Sequence, residues 1–338
     1  MISARDYHNA HTWLSTCARP LLITHRRPDG DALGALTALD LALRGRGHTP
    51  LATLYEPWPR RYALLQDATQ WNCWDQQRSE LIKACDAVVI LDTCAASQLE
   101  PIADWLPMAP RTLVIDHHPT GDPIATRPND LRLIDDTAGA ACLILTEWMQ
   151  ANSVPLTPTI ATALFTGLAT DCGWFRFPST DTRALRAAAR LTAAGAVPSQ
   201  IYRAVCEQDP PARLRLIGRM LQTLELHAND RLGVMKLRQA DFDAAGATRD
   251  MTEDLVNEAS RLGCTEATIM FTEESDGGVR VNLRSKQTLD VSALAQRFNG
   301  GGHARASGAR PDGPWDEVVP RVIAAAIEAL DDQGPPAP

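Results

Sequence analysis

Three short apolar runs constrain this chain more than any other feature, because each of them ends in residues that carry charge. PLLIT (Pro20 to Thr24), DAVVILDT (Asp86 to Thr93) and RTLVIDHH (Arg111 to His118) are continuous apolar segments of strand length. Runs that are apolar at every position, rather than at every second one, suit parallel strands covered on both faces. Between them, DALGALTALDLALRGRG has helical periodicity and a glycine-rich stop, and DTAGAACLILTEWM reads as a further helix. This alternation predicts a doubly wound α/β domain with a mainly parallel sheet, whose site lies at the carboxyl ends of the strands.

At 338 residues the chain is long enough for two cores. From Ala187 to Asp230 the pattern is helical, interrupted by QDPPARLRL, with no strand signal. Beyond it come LGVMKLR, a helical DMTEDLVNEASRL, and the strands EATIMFTEE and VRVNLRSK joined by the hairpin sequence SDGG. A short helix VSALAQRF, the segment NGGGHARASGA and an amphipathic helix WDEVVPRVIAAAIEAL follow. The expected organisation is an N-terminal domain over 1–190, a helical connector over 191–229, a smaller α/β domain over 230–332 and a disordered tail at 333–338.

A net charge of −8 disfavours sequence-independent binding of long nucleic acid, which needs many Lys and Arg contacts to phosphate. It leaves room for a small phosphorylated substrate held by metal ions and a few arginines. No apolar run approaches the roughly 20 residues of a bilayer span, and the start MISARDYHNAHTW lacks the segments of a secretory signal, so a cytoplasmic location is expected. None of the eight cysteines forms a C-x-x-C pair, which points away from zinc ribbons and thioredoxin-type redox sites. Cys172 reads as a buried small hydrophobe.

The polar residues at the run ends suggest the chemistry. His25, Asp29 and Asp31 follow the first run, Asp92 ends the second, and Asp116, His117 and His118 end the third. Asp171, in GLATDCGWFRF, follows another apolar, small-residue run and is expected at the same sheet edge. Taken singly, a D-x-D pair is a turn or helix cap, Asp92 a strand end, and His117-His118 a core histidine with an exposed neighbour. Together they crowd carboxylates that raise one another's pKa unless cations neutralise them. Imidazole and carboxylate ligands without thiolate fit a first-row divalent ion such as Mn²⁺, with Mg²⁺ or Co²⁺ as substitutes. The surplus of ligands over what one ion needs suggests two, roughly 3.5–4 Å apart and sharing a carboxylate, as in phosphate ester hydrolysis.

THRRPDGDALGA, VILDT, VIDHHPT and TDCGWFRF resemble, in order, the four motifs of the DHH phosphoesterase superfamily, with DHH itself at Asp116 to His118. VNLRSK and FNGGGHARASGA resemble its DHH-associated C-terminal domain. The resemblance covers nearly the whole chain and lies nearest the stand-alone oligoribonucleases (nano-RNases) that also dephosphorylate 3′-phosphoadenosine 5′-phosphate (pAp). It implies that His25 and Asp29 bind one ion, that Asp92 bridges, and that Asp31, His117 and Asp171 complete the second. Asp116 would orient His117 from behind, a common need of metal-bound imidazole, and His118 would face the substrate phosphate. The ions would lower the pKa of a bridging water for attack on phosphorus.

In the second domain the resemblance implies that Gly300, Gly301, Gly302 and His303, with Arg284 and Ser285, hold the substrate end. Glycines admit backbone N–H groups to a phosphate, although glycine clusters also mark plain turns, and arginine supplies a bidentate, charge-assisted contact. The aromatic cluster Trp174-Phe175-Arg176-Phe177 fits base stacking and core packing equally well. Two departures from the family pattern stand out. No arginine follows Asp92 in TCAASQLE, a loss that neither Gln98 nor Arg132 is assumed to repair, and Cys172 takes the place of a usual threonine.

The expected activity is metal-dependent hydrolysis of very short RNA or DNA oligonucleotides, with pAp phosphatase as a second reaction, in a protein that needs no membrane and is free to form a homodimer. A soluble cyclic or linear dinucleotide phosphodiesterase is the nearest alternative. GGGH argues against a pyrophosphatase, and the absence of a basic groove against a long-strand exonuclease. A non-catalytic nucleotide sensor would tolerate lost metal ligands, and none is lost.

Overall fold

The computed structural model describes residues 1–119 and 121–332, so the tail expected at 333–338, like Thr120, lies outside the described residues. The chain forms two compact units, Met1–Gln208 and Asp209–Pro338. The first opens with α1 (Ala4–Ser15), β1 (Pro20–Ile23), α2 (Gly30–Arg44), β2 (Leu51–Leu54), α3 (Ala63–Gln66), β3 (Trp71–Cys73) and α4 (Trp74–Ala84). It continues through β4 (Ala87–Leu91), α5 (Glu100–Ala103), β5 (Thr112–Asp116) and β6 (Leu131–Ile134), and ends in α6 (Ala141–Ala151), α7 (Pro158–Asp171), α8 (Thr182–Ala193) and α9 (Pro198–Cys206).

Its six strands are all parallel, in the order β3-β2-β1-β4-β5-β6. Leu22, Val89 and Leu113 face one hydrophobic cluster, and Leu21, Ile23, Val88, Ile90 and Val114 face another on the opposite side. Helices cover both faces, which explains why the runs are apolar at every position. The strand order reverses between β1 and β4, the switch point at which open α/β sheets form their crevice.

Helices α2 and α7 cross in close contact. A Cβ on Gly34 would lie 2.5 Å from the Ala163 carbonyl oxygen, and one on Gly167 would lie 2.8 Å from Asp31 Oδ1. Glycine at these two positions allows the approach. One expectation is corrected here: Asp171 does not come from a sheet edge but is the last residue of α7. An apolar run of small residues is as good a sign of a buried helix as of a strand.

The second unit comprises α10 (Pro211–Gln222), β7 (Glu225–His227), β8 (Leu232–Leu237), α11 (Gln239–Ala245), β9 (Ala267–Glu273), β10 (Val279–Ser285), α12 (Val291–Gln296), β11 (Gly301–His303), β12 (Ala306–Ala309) and α13 (Trp315–Asp331). These strands form a mixed sheet in the order β11-β12-β10-β9-β8-β7, with only β8 and β9 parallel. α12 and α13 pack on one face, and α10 and α11 on the other.

The stretch 187–230, which showed no strand signal, contains the three-residue β7 at the sheet edge. DMTEDLVNEASRL forms two 3-10 turns, Arg249–Thr252 and Leu255–Arg261, rather than one α-helix. Asp254 breaks it with a left-handed backbone (φ 62°), which lets Leu255, Val256 and Ala259 turn into the core. Among the described residues no helix is long and apolar enough to cross a membrane.

Candidate metal centre

The carboxyl ends of β1, β4 and β5 and the end of α7 converge on one acidic cluster. Asp29 caps α2, its Oδ1 accepting from the amides of Asp31 (2.9 Å) and Ala32 (3.1 Å). The cap reading of D-x-D therefore holds, and it fixes Asp29 beside His25 and Asp92. Asp92 follows β4 with a left-handed backbone (φ 60°), a conformation that for aspartate is uncommon and recurs at functional sites. Its amide donates to the Ile115 carbonyl (2.9 Å), which anchors this turn to β5.

Ligand atoms of His25, Asp29 and Asp92 lie within 4.8 Å of one another, and so do those of Asp31, His117 and Asp171. A third group, Asp92, His117 and His118, overlaps both. Both inner imidazoles are set in the same way. His25 Nδ1 lies 2.8 Å from the Arg26 carbonyl oxygen and His117 Nδ1 lies 3.2 Å from that of Ala138. A proton on each Nδ1 leaves Nε2 as the donor atom toward the cluster. His25 Nε2 is 3.6 Å from Asp92 Oδ2, and His117 Nε2 is 3.3 Å from both Asp92 Oδ1 and Asp171 Oδ2.

The electrostatics are those of a site built for cations. Burial, followed by the charge of Asp92, raises the carboxyls of Asp29 and Asp31, the latter to about 7. Burial and the Asp31 charge push Asp171 well above the ordinary range. Burial alone would raise Asp92 too, but the adjoining imidazoles of His117 and His25 hold it low. Those imidazoles, which burial would depress, are raised in return, His25 to about 9 and His117 to about 10. Asp92 Oδ1, although 3.3 Å from His117 Nε2, is buried without a hydrogen bond of good geometry. An orphaned carboxylate oxygen amid three other acids and two imidazole Nε2 atoms fits bound divalent metal.

One assignment is corrected. Asp116 does not orient the His117 ring: its Oδ1 accepts from His118 Nδ1 at 2.8 Å and from the His117 amide at 2.8 Å. The Asp116 hydrogen bond raises the His118 pKa. Chain direction explains the exchange, since successive side chains at a strand end point to opposite sides. What orients His117 is the Ala138 carbonyl.

Sequence reasoning also missed the supports of Asp31. This carboxylate is 1% exposed, and it accepts from the amides of Ala141 (2.5 Å, Oδ2) and Cys142 (2.9 Å, Oδ1) at the start of α6. Cys172 is fully buried and Arg132 Nη2 lies 3.5 Å from Cys94 Sγ. Trp174 packs edge-on to Tyr202 and Phe175 on Phe165, while Phe177 is half exposed.

The residues singled out in the second unit lie on or beside one β-hairpin. The register places Arg284, Ala306 and His303 in one cross-strand row, on one sheet face. Arg284 Nε donates to Asn257 Oδ1 at 3.2 Å. Ser285 turns inward, its hydroxyl donating to the Leu289 carbonyl at 2.6 Å. A Cβ on Gly300 would meet Ala309 Cβ at 2.6 Å and one on Gly302 (φ 138°) the Ala306 carbonyl at 2.7 Å, so these two glycines are demanded by packing, whereas Gly301 is open.

Residues 20–168 match the family model for the DHH family N-terminal domain, and residues 234–332 match that for the DHHA1 domain. The bifunctional oligoribonuclease and PAP phosphatase NrnA of Thermus thermophilus is 28% identical over 310 residues, 91% of this chain and 89% of its own length. An exopolyphosphatase-related protein from Bacteroides fragilis superposes with a TM-score of 0.90 at 21% identity, covering 98% of each chain. RecJ of Thermus thermophilus in complex with Mn²⁺ shares the fold with a TM-score of 0.54 at 15% identity, over 98% of this chain and 55% of that one. The two domain models in tandem, with the DHH triplet at the end of β5, place the chain in the DHH family of phosphoesterases, with a DHHA1 domain following.

Proposed function

We propose that this phosphoesterase works with two divalent ions, most simply Mn²⁺, and hydrolyses very short oligonucleotides to mononucleotides and pAp to AMP. The observation that carries the proposal is the pair of ligand groups, His25 with Asp29 and Asp92, and Asp31 with His117 and Asp171, packed around the buried Asp92. Similarity to NrnA along most of both chains supports the substrate class. The net charge of −8 is in keeping with a small substrate rather than a long strand.

His25, Asp29 and Asp92 would hold the first ion, and Asp31, His117 and Asp171, with Asp92, the second. When bound, such ions activate water at neutral pH and neutralise charge developing on phosphoryl oxygens. The protein sets the donor atoms: Arg26 and Ala138 carbonyls fix the imidazole tautomers, and the amides of Ala141 and Cys142 keep Asp31 in place. His118, aligned by Asp116, is the group that faces the substrate phosphate. Arg284 and His303, with the open backbone at Gly301, hold the substrate end, and Ser285 supports them through the Leu289 loop.

The deciding experiment is chromatographic product analysis of end-labelled RNA from dinucleotides to decanucleotides in Mn²⁺, with pAp, a cyclic dinucleotide and pyrophosphate in parallel. Fastest turnover on the shortest RNAs together with release of AMP from pAp is expected. Exclusive turnover of the cyclic dinucleotide would replace this reading with a cyclic dinucleotide phosphodiesterase, and no turnover of any substrate would leave a nucleotide sensor.

A further inference from the structure

The segment from the end of β6 into the first turn of α6, residues 135–142, touches two of the three ligands proposed for the second ion alone. It contributes the Ala138 carbonyl oxygen, 3.2 Å from His117 Nδ1, and the Ala141 and Cys142 amides that bind both oxygens of Asp31. It also packs on the chain just past the third ligand, Asp171: a Cβ on Gly139 would lie 2.7 Å from the Ser179 carbonyl oxygen and 3.0 Å from Cys172 Sγ. One short strap of backbone therefore borders all three.

The strap is anchored at its start by a buried ion network. Asp135 is 2% exposed, and its amide donates to the Asp116 carbonyl at 3.1 Å. Its Oδ1 receives the Thr137 hydroxyl (2.5 Å) and amide (3.1 Å), which shapes the turn. Its Oδ2 receives Arg183 Nη2 from α8 at 2.9 Å. The same guanidinium donates through Nη1 to Thr137 Oγ1 (3.2 Å) and through Nε and Nη2 to the two oxygens of Glu147 on α6 (2.9 and 2.8 Å). Tyr7 of α1 also donates to Glu147, at 2.7 Å. Arg183 thus clamps both ends of the strap, Asp135 and Thr137 at its start and the helix it leads into.

The first ion's ligands are held by other groups. His25 rests on the Arg26 carbonyl, Asp29 on the amides of α2, and Asp92 on the Ile115 carbonyl. None of these contacts involves the strap.

We infer that Arg183 is a positioning residue for the second metal ion alone, acting through the strap 135–142. This inference rests on the two-ion reading above. Loosening the clamp frees the Ala138 carbonyl and the Ala141 and Cys142 amides to move, so that His117 and Asp31 lose their fixed orientation while the first site keeps its own. Loss of an orienting partner behind a metal ligand costs about 10- to 100-fold in affinity.

The test is calorimetric titration of chelator-treated full-length protein with Mn²⁺, backed by electron paramagnetic resonance for the coupled Mn²⁺ pair. Arg183→Gln breaks the fork. Gly139→Ala displaces the strap from inside without touching the ion network, which keeps the test valid if the first variant folds poorly. Each is measured at a temperature where circular dichroism shows it folded. Both should bind one Mn²⁺ as the wild type does and the second at least about tenfold more weakly, the coupled signal giving way to that of isolated Mn²⁺.

Equal weakening of both ions, or two unchanged affinities in folded variants, would overturn the inference, because a purely structural role lowers thermal stability without choosing between sites. Asp171→Asn separates this failure from that of its premise. If Asp171→Asn loses one ion and Arg183→Gln loses none, the strap inference alone falls. If Asp171→Asn keeps both ions, the two-ion assignment falls and the inference with it.

Discussion

Asp92 Oδ1 lies 3.3 Å from His117 Nε2, and its other oxygen, Oδ2, lies 3.6 Å from His25 Nε2, so one buried carboxylate joins the two ligand groups. The first prediction follows from that position. Asp92→Asn is nearly isosteric and should leave the fold intact while removing the shared negative charge from both ions. Metal affinity should drop by more than ~100-fold, beyond the effect of losing an outer partner, and turnover with it. Metal analysis and activity of the purified variant decide this, and near-native turnover with two bound Mn²⁺ would discard the shared role.

Metal binding should expel protons. In the metal-free protein the folded pKa values of His25 and His117, about 9 and about 10, lie above the ordinary 6.5, so both rings are protonated at neutral pH. Asp31, at about 7, carries part of another proton. Ligation requires the neutral imidazole and the carboxylate, so Mn²⁺ competes with protons and its affinity falls as pH falls. Titration calorimetry at neutral pH in buffers of different ionisation enthalpy should show at least two protons released per chain. A heat that does not depend on the buffer would contradict it.

Arg284→Ala and His303→Ala should leave Mn²⁺ content unchanged. Losing a charge-assisted phosphate contact costs about 1.5–3 kcal/mol, or roughly tenfold to more than a hundredfold in kcat/KM on a dinucleotide. A small generic diester such as bis-p-nitrophenyl phosphate, which lacks the nucleotide end these residues are proposed to hold, should be hydrolysed almost as by the wild type. Equal losses on both substrates, measured below saturation, would assign the two residues to the fold or the metal site instead.

Asp135 gives an acid-stability signature. Burial would raise its carboxyl, but hydrogen bonds from Thr137 and Arg183 outweigh this and set it at about 2, below the ordinary 3.8. A depressed carboxyl stabilises the fold above its unfolded pKa and loses that contribution as pH falls through the folded value. Asp135→Asn should therefore cost on the order of 2 kcal/mol at neutral pH, and the deficit should narrow below pH ~4. Urea unfolding across that range reads the difference directly, and a deficit independent of pH would rule out the ionic origin.

The strands β1, β4 and β5 were legible because a strand buried on both faces is apolar at every position, and their acids were legible because they interrupt such runs. Asp171 was legible as an acid but not as the end of a helix, since the small residues of α7 carry no period that separates strand from helix. Which histidine Asp116 serves depends on side-chain direction at adjacent positions, and adjacency in sequence hides that. The supports of His117 and Asp31 left no trace at all. They are the carbonyl of Ala138 and the amides of Ala141 and Cys142, groups that every residue of their kind possesses.

The tight crossing of α2 and α7 ties the volume of the core to the reach of a carboxylate. Any carbon added at Gly34 meets the Ala163 carbonyl, and any at Gly167 meets Asp31, so the helices must separate to admit it. Asp171 rides on the end of the helix that moves, 3.3 Å from His117. Overpacking at this crossing therefore acts on the acidic cluster as well as on stability, because the helix that has to yield carries one of its carboxylates at its end.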